Sequence, residues 1–169
     1  AYLAFMWGHP GKQLLFMGQE FGQPSEWSSE RGLDWWILDQ PVHQGLQDMV
    51  RQLNITYRDT PALWQRDSDP AGFQWIDGAD NGRQIVSFVR YDNAGNAVAV
   101  IANFAGHPHG DVAIGLPSSG EWTELFNSDA EAFGGSGVGN VVRTILSVDE
   151  GEVHISWSVF KDPQGRDRL

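Results

Sequence analysis

Residues 12–27 read KQLLFMGQEFGQPSEW, and how this stretch is read decides the rest of the chain. The apolar run Leu14-Leu15-Phe16-Met17 stops at Gly18 and opens into Gln19, Glu20, Phe21, Gln23, Glu26 and Trp27. A short continuous apolar run bounded by Gly and Pro fits a strand buried on both faces. Polar and aromatic groups just past the carboxyl end of such a strand are where (β/α)8 barrels place their sites. A barrel of that kind takes about 250 residues. With eleven residues ahead of Lys12, this chain has room for one barrel strand, and it reads as the C-terminal piece of a larger protein.

Working outward, residues 1–8 read as the end of a helix entered inside its apolar run and stopped by Gly8-His9-Pro10-Gly11. Residues 12–18 are the expected buried strand, and 19–40 an extended loop rich in Gln, Ser, Glu and Trp. A helix is predicted over 41–59, with Asp39 as N-cap and Pro41 in the first turn. Val42, Leu46, Met49, Val50, Leu53 and Tyr57 recur at spacings of three and four and form one apolar stripe. Thr60 precedes Pro61 and ends it. From 63 onward the period changes to that of strands. Runs at 73–76, 85–91, 97–104, 111–116, 122–127, 141–148 and 153–159 are short and rich in β-branched and aromatic residues, separated by turn signals that include Asp77-Gly78. Seven such runs predict an all-β C-terminal sandwich over 63–160. Asp67-Ser68-Asp69-Pro70 reads as a polar linker, 133–140 as a mobile Gly-rich stretch, and 161–169 as a disordered tail.

Composition narrows the function. Eleven basic against twenty-two acidic residues give a formal charge of −11, with no Lys/Arg cluster. That excludes a nucleic-acid footprint and argues against anionic membranes. There is no Cys, and no apolar run approaches the roughly 20 residues of a membrane span. The expected compartment is the cytoplasm. Eight Trp and nine Phe are a heavy aromatic load, most of it core. Trp27, Trp35 and Trp36 stand apart because they lie among polar loop residues.

Several segments, in order, carry a resemblance. These are WGHPGKQLLFMGQEFGQ at 7–23, EWSSERGLDWWILD at 26–39, HQGLQDMVRQLNITYRDTPALW at 43–64, GFQWIDGAD at 72–80 and LFNSDAEAFGGSGVGN at 125–140. Together they resemble the bacterial 1,4-α-glucan (glycogen) branching enzymes, a family of α-amylase-type enzymes. The resemblance implies the last strand and helix of a (β/α)8 barrel over 1–62, followed by the β-sandwich domain. It departs at the end, where the family's apolar strand with Leu-Pro-Pro is replaced by a polar run after Phe160.

The resemblance also implies cleavage of an α-1,4-glucan with retention and transfer of the chain to a glucose 6-hydroxyl. Retention needs two carboxylates about 5–5.5 Å apart. The family's Asp nucleophile, Glu acid/base and second Asp follow the fourth, fifth and seventh barrel strands, ahead of residue 1. No catalytic residue is therefore assigned in this chain, and the chain alone is expected to be inactive. The substrate-binding candidates are Gln19, Glu20 and Trp27 at the barrel rim. Glu20 orients substrate or a neighbouring Arg, or it closes the barrel through a local ion pair. Trp27 stacks a glucosyl ring, or it packs the loop. Asp34 with Trp35 anchors the loop, while His43 and Arg51 are solvated. His107 and His109 flank Pro108 without a third ligand, a poor metal site. No metal and no cofactor are implied. The expected partners are α-glucan (glycogen, amylose), the preceding part of the barrel, and a second copy of the chain through the apolar strand. Two rival readings stand: another amylase-type enzyme, trehalose-forming or debranching, and a non-catalytic glucan-binding or interaction module.

Overall fold

The computed structural model describes residues 1–110, 112–119 and 122–138, together with the backbone of 158–161. Helix α1 spans Tyr2–Gly8 and helix α2 spans Pro41–Asp59. The strands are β1 (Phe73–Asp80), β2 (Ile85–Tyr91), β3 (Ala97–Asn103), β4 (Thr123–Asn127) and β5 (Ser158–Lys161). They form one antiparallel sheet in the order β1-β2-β3-β5-β4.

The period-2 pattern explains the sheet. Across β2 and β3, Val86, Phe88, Val98, Val100 and Ala102 face α1 and α2, and they pack with Ala4, Trp7, Met49, Val50 and Leu53. The alternate residues Ile85, Val89, Ala97, Ala99 and Ile101 point to the opposite face, under Val112 and Trp122. Strands buried on both faces read as continuous apolar runs, and burying each large side chain contributes about 1.5–3 kcal/mol. The β2–β3 ladder runs without a break from Ile85↔Asn103 to Tyr91↔Ala97. Both outer strands carry register slips, β1 between Trp75 and Asp80 and β4 between Glu124 and Phe126. The expected Asp77-Gly78 turn is therefore an irregularity inside β1. The chain reverses later, where the Gln84 amide donates to Asp80 O and the Arg83 amide to the Asp80 carboxylate.

Two glycines let the helices pack closely, Gly8 against the sheet and Gly45 against the turn Glu131–Phe133. A Cβ on Gly8 would sit 2.9 Å from Val100, and one on Gly45 would sit 2.6 Å from the Phe133 carbonyl. Trp7 Nε1 donates to Asn54 Oδ1 at 3.1 Å and ties α1 to α2. The inner face of α1, with Ala4, Trp7 and Gly8, is thus packed, and α1 stops where His9, extended, precedes Pro10.

Several expectations are corrected here. Residues 12–18 form no strand; Leu14 is 74% and Phe16 51% exposed. A strand needs neighbours for its N–H and C=O groups, and among the described residues none runs beside this segment. The 19–40 loop contains two 3-10 turns, Gln19–Phe21 and Trp35–Asp39. Asp39 ends the second of these, so the N-cap of α2 is Gln40, without a side-chain bond. Residues 112–116 bury alternate side chains as a strand would but pair with nothing among the described residues. The expected strand at 141–148, the first part of the one at 153–159, and the tail from 162 lie outside the described residues. Lys161, expected in the tail, belongs to β5.

The linker and the Gly-rich stretch also differ from expectation. Asp67 is nearly buried and ion-paired, because it neutralises a buried Arg90. Residues 133–138 are laced to Asp129, whose carboxylate accepts from the Ser136 amide and hydroxyl and from the Val138 amide. Asn127 Nδ2 adds a bond to Val138 O. A glycine-rich segment needs such bonds to offset its backbone entropy.

Candidate functional site

The segment 16–27 is a tight turn followed by a laced loop. Met17 and Gly18 both take left-handed backbone, with φ of 39° and 90°. Gly18 suits that conformation, and a Cβ there would also meet Gln23 at 2.8 Å. Gln19 closes the turn: its side-chain oxygen accepts from the Phe16 amide at 3.0 Å. Gln23 then holds the other end of the loop, with Oε1 accepting from the Asp34 amide at 2.8 Å and Nε2 donating to Ser25 O at 3.3 Å. Ser25 donates to Asp34 Oδ2, and Arg31 approaches Oδ1 at 3.9 Å. Asp34 thus ties its loop, as its sequence context predicts.

The three sequence-predicted site residues are placed differently. Trp27 is 55% exposed and meets Phe16 edge-on at 5.7 Å between ring centroids. Gln19 lies beside that pair, satisfied by its own turn. Glu20 faces elsewhere. It lines a groove of about 570 Å³ between this segment and α2, with Leu15, Leu33, Val50, Arg51 and Asn54. The fold therefore sets Glu20 and Arg51 on one groove and leaves Trp27 outside it. Arg51 also pairs with Asp48 one turn back. One carboxylate beside a cation and an amide can accept hydroxyl hydrogen bonds; alone it does not make a retaining pair.

Sequence reasoning undervalued His43. Its Nδ1 lies 2.8 Å from Phe21 O, so it joins the start of α2 to the turn after Glu20. The signal was its position on the first turn of α2, four residues before Gln47 of the groove wall. Phe21 is fully buried against Trp35 at 4.8 Å, while Trp35 and Trp36 both stay exposed.

Asp129, Asp80 and Asp69 are held below the usual carboxylate range. Burial pushes the Asp129 carboxyl upward, but the hydrogen bonds from Ser136 and Val138 more than offset it and leave it below the usual range. Asp80 is lowered mainly by the Arg83 amide, and Asp69 by the Arg66 side chain. All three are structural. The His107 and His109 rings lie 4.6 Å apart, and no cluster of three or more candidate metal ligands occurs among the described residues. Nor is any described helix long and apolar enough to cross a membrane.

Residues 75–160 match the family described as alpha amylase, C-terminal all-beta domain. The chain is 64% identical over 140 residues to 1,4-alpha-glucan branching enzyme GlgB of Leifsonia xyli subsp. xyli, covering 83% of this chain and 19% of that protein. It is 57% identical to the enzyme of that name from Nocardia farcinica, over 85% of this chain and 20% of that protein. For the one from Mycobacterium tuberculosis H37Ra the identity is 51%, over 82% and 19%. The chain spans about a fifth of the length of these relatives.

Proposed function

The chain belongs to the alpha-amylase C-terminal all-beta domain family, and from that premise we propose that it is the C-terminal part of a 1,4-α-glucan branching enzyme. The parent cleaves an α-1,4-glucan and transfers the released chain to a 6-hydroxyl, which builds α-1,6 branches of glycogen in the cytoplasm. One observation carries this reading. Only 95 residues run from Trp75 to the end, so at least 45 of the 140 residues matched at 64% identity precede the β domain. The match therefore includes the part that, on this proposal, is the end of the barrel: 12–18 as the segment that leads to its rim, 19–40 as a rim loop and α2 as its last helix. The exposed face of Leu14 and Phe16 supports this, because it is the surface a barrel would cover. When uncovered, the same face favours self-association.

In this reading Gln19, Glu20 and Trp27 bind substrate at the rim, and the catalytic carboxylates come from upstream. Glu20 accepts a sugar hydroxyl or holds Arg51. Trp27 offers a ring face of the kind that stacks on a pyranose.

The test is to express the complete reading frame and the 169-residue chain side by side and treat amylose with each. The full protein should lower iodine staining and create α-1,6 linkages, while the chain alone should do neither. Shortened linear products, trehalose or debranching from the full protein would assign another amylase-type activity. Tight binding of amylose by the inactive chain would favour a glucan-binding module.

A further inference from the structure

Arg90 is the largest fully buried side chain among the described residues, and it sits on the helix-facing side of β2 where Val86 and Phe88 are apolar. A guanidinium in such a place costs heavily in lost hydration unless its charge and donors are met. Its two partners are distant in the chain, and among the described residues Nε meets no acceptor. Nη1 donates to Gly8 O at the end of α1 at 2.9 Å. Nη2 reaches Asp67 Oδ1 at 2.5 Å, a carboxylate whose side chain is 8% exposed. The other oxygen of Asp67 takes Lys12 Nζ at 3.2 Å and Tyr57 Oη of α2 at 3.3 Å. The planar fork of Arg suits this double reach, which the point charge of Lys cannot reproduce.

We infer that Arg90 and Asp67 form a latch that joins α1, the end of α2 and the 64–70 connection to the sheet, so that helices and sheet unfold as one unit. An apolar residue at 90 would fill the same volume. What the ion pair adds is a directional link from a central strand to the Gly8 carbonyl, four residues before the segment that leads to Gln19 and Glu20. Gly8 already lies against Val100 with no space for a Cβ, so a small shift of α1 would break both contacts together. The latch holds whatever reaction the parent performs.

Native-state hydrogen exchange of the 169-residue chain tests it, on the parent sequence and on Arg90→Lys, Arg90→Met and Asp67→Asn. In the parent sequence, amides of 2–8 and of 85–103 should open together as denaturant rises. In Arg90→Lys and Asp67→Asn, exchange in 2–8 should quicken at least tenfold while 85–103 changes less than twofold. Arg90→Met should behave like Arg90→Lys. Equal quickening in both regions in every variant would overturn the latch and make Arg90 an ordinary core residue. So would joint opening restored by Arg90→Met, since volume would then suffice. Loss of the folded state in all three variants, in place of local opening, also counts against it.

Discussion

Residues 12–40 and the β2–β3 pair both carry large apolar side chains, yet those side chains end in opposite environments. Every residue of β3 from Ala97 to Ala102 is buried, and its ladder to β2 has no slip. In 12–40, Leu14, Phe16, Trp27, Trp35 and Trp36 face outward, and the backbone is held by turns and side chains instead of a ladder. The 12–40 stretch is richer in polar residues, and it also lacks a local pairing partner. β2 and β3 find each other through a five-residue turn in which Asp92 accepts from the Ala94 and Asn96 amides. The 12–18 run has no such local partner: Leu15 packs against the core, while Leu14 and Phe16 stay exposed until another polypeptide surface covers them.

The sharpest way to break this contrast is a matched pair of truncations. Phe88→Ala should cost about 3–5 kcal/mol, since it empties a fully buried site. Leu14→Ala should stay within about 0.5 kcal/mol. Urea unfolding of both variants decides, and comparable losses would show that 12–18 is packed after all. Gly45→Ala comes next. Alanine is the better helix former by about 1 kcal/mol, but its Cβ would strike the Phe133 carbonyl, which is backbone and gives little. A net loss of about 1–3 kcal/mol is expected; a stabilised variant would mean that the 133–138 loop does not dock on α2.

Acid should sharpen the comparison further. The Asp129 carboxyl is lowered in the folded chain, so its contribution is fully present above its unfolded value and is lost as pH falls through the folded one. Below the ordinary carboxylate range, near pH 4 and under, the amide signals of Ser136 and Val138 should move in NMR spectra while those of 97–102 stay. The smallest stability effect belongs to Trp27→Ala. Exposed and touching Phe16 by an edge, Trp27 should change unfolding by about 0.5 kcal/mol or less. Under the proposed function, loss of a stacking platform worth about 0.5–1.5 kcal/mol would lower the kcat/KM of the full-length protein up to roughly tenfold. A destabilised variant with unchanged kcat/KM would remove Trp27 from the substrate site.

What could be read in advance follows the range of the forces involved. The bounds of α2 and β2 were legible because the stripe from Leu46 to Leu53, Pro61 after Thr60, and the alternation from Ile85 to Tyr91 are local signals. Three features were not legible, each because its partner is distant in sequence. Arg90 meets Gly8 across 82 positions, His43 meets Phe21 across 22, and Asp67 looks like any linker carboxylate until Arg90 is beside it. At the candidate site the residue types could be named. Their division between a groove that holds Glu20 and a surface that holds Trp27 depends on the left-handed turn at Met17 and Gly18, and only the glycine announces it.

The slipped register of β1 has a bearing on solubility. An outer strand with an even row of free amides and carbonyls is a template for another chain. β1 breaks that row twice within eight residues, folds the Trp75 ring over Gly78, and places Asp77 and Asp80 at the breaks. β4 breaks its own row once. Among the described residues, neither rim of the sheet offers an incoming strand a continuous seam, which disfavours fibril-like stacking at these edges. Any clumping of this polypeptide should start at the oily 14–17 corner, and a detergent or a covering polypeptide there should suppress it.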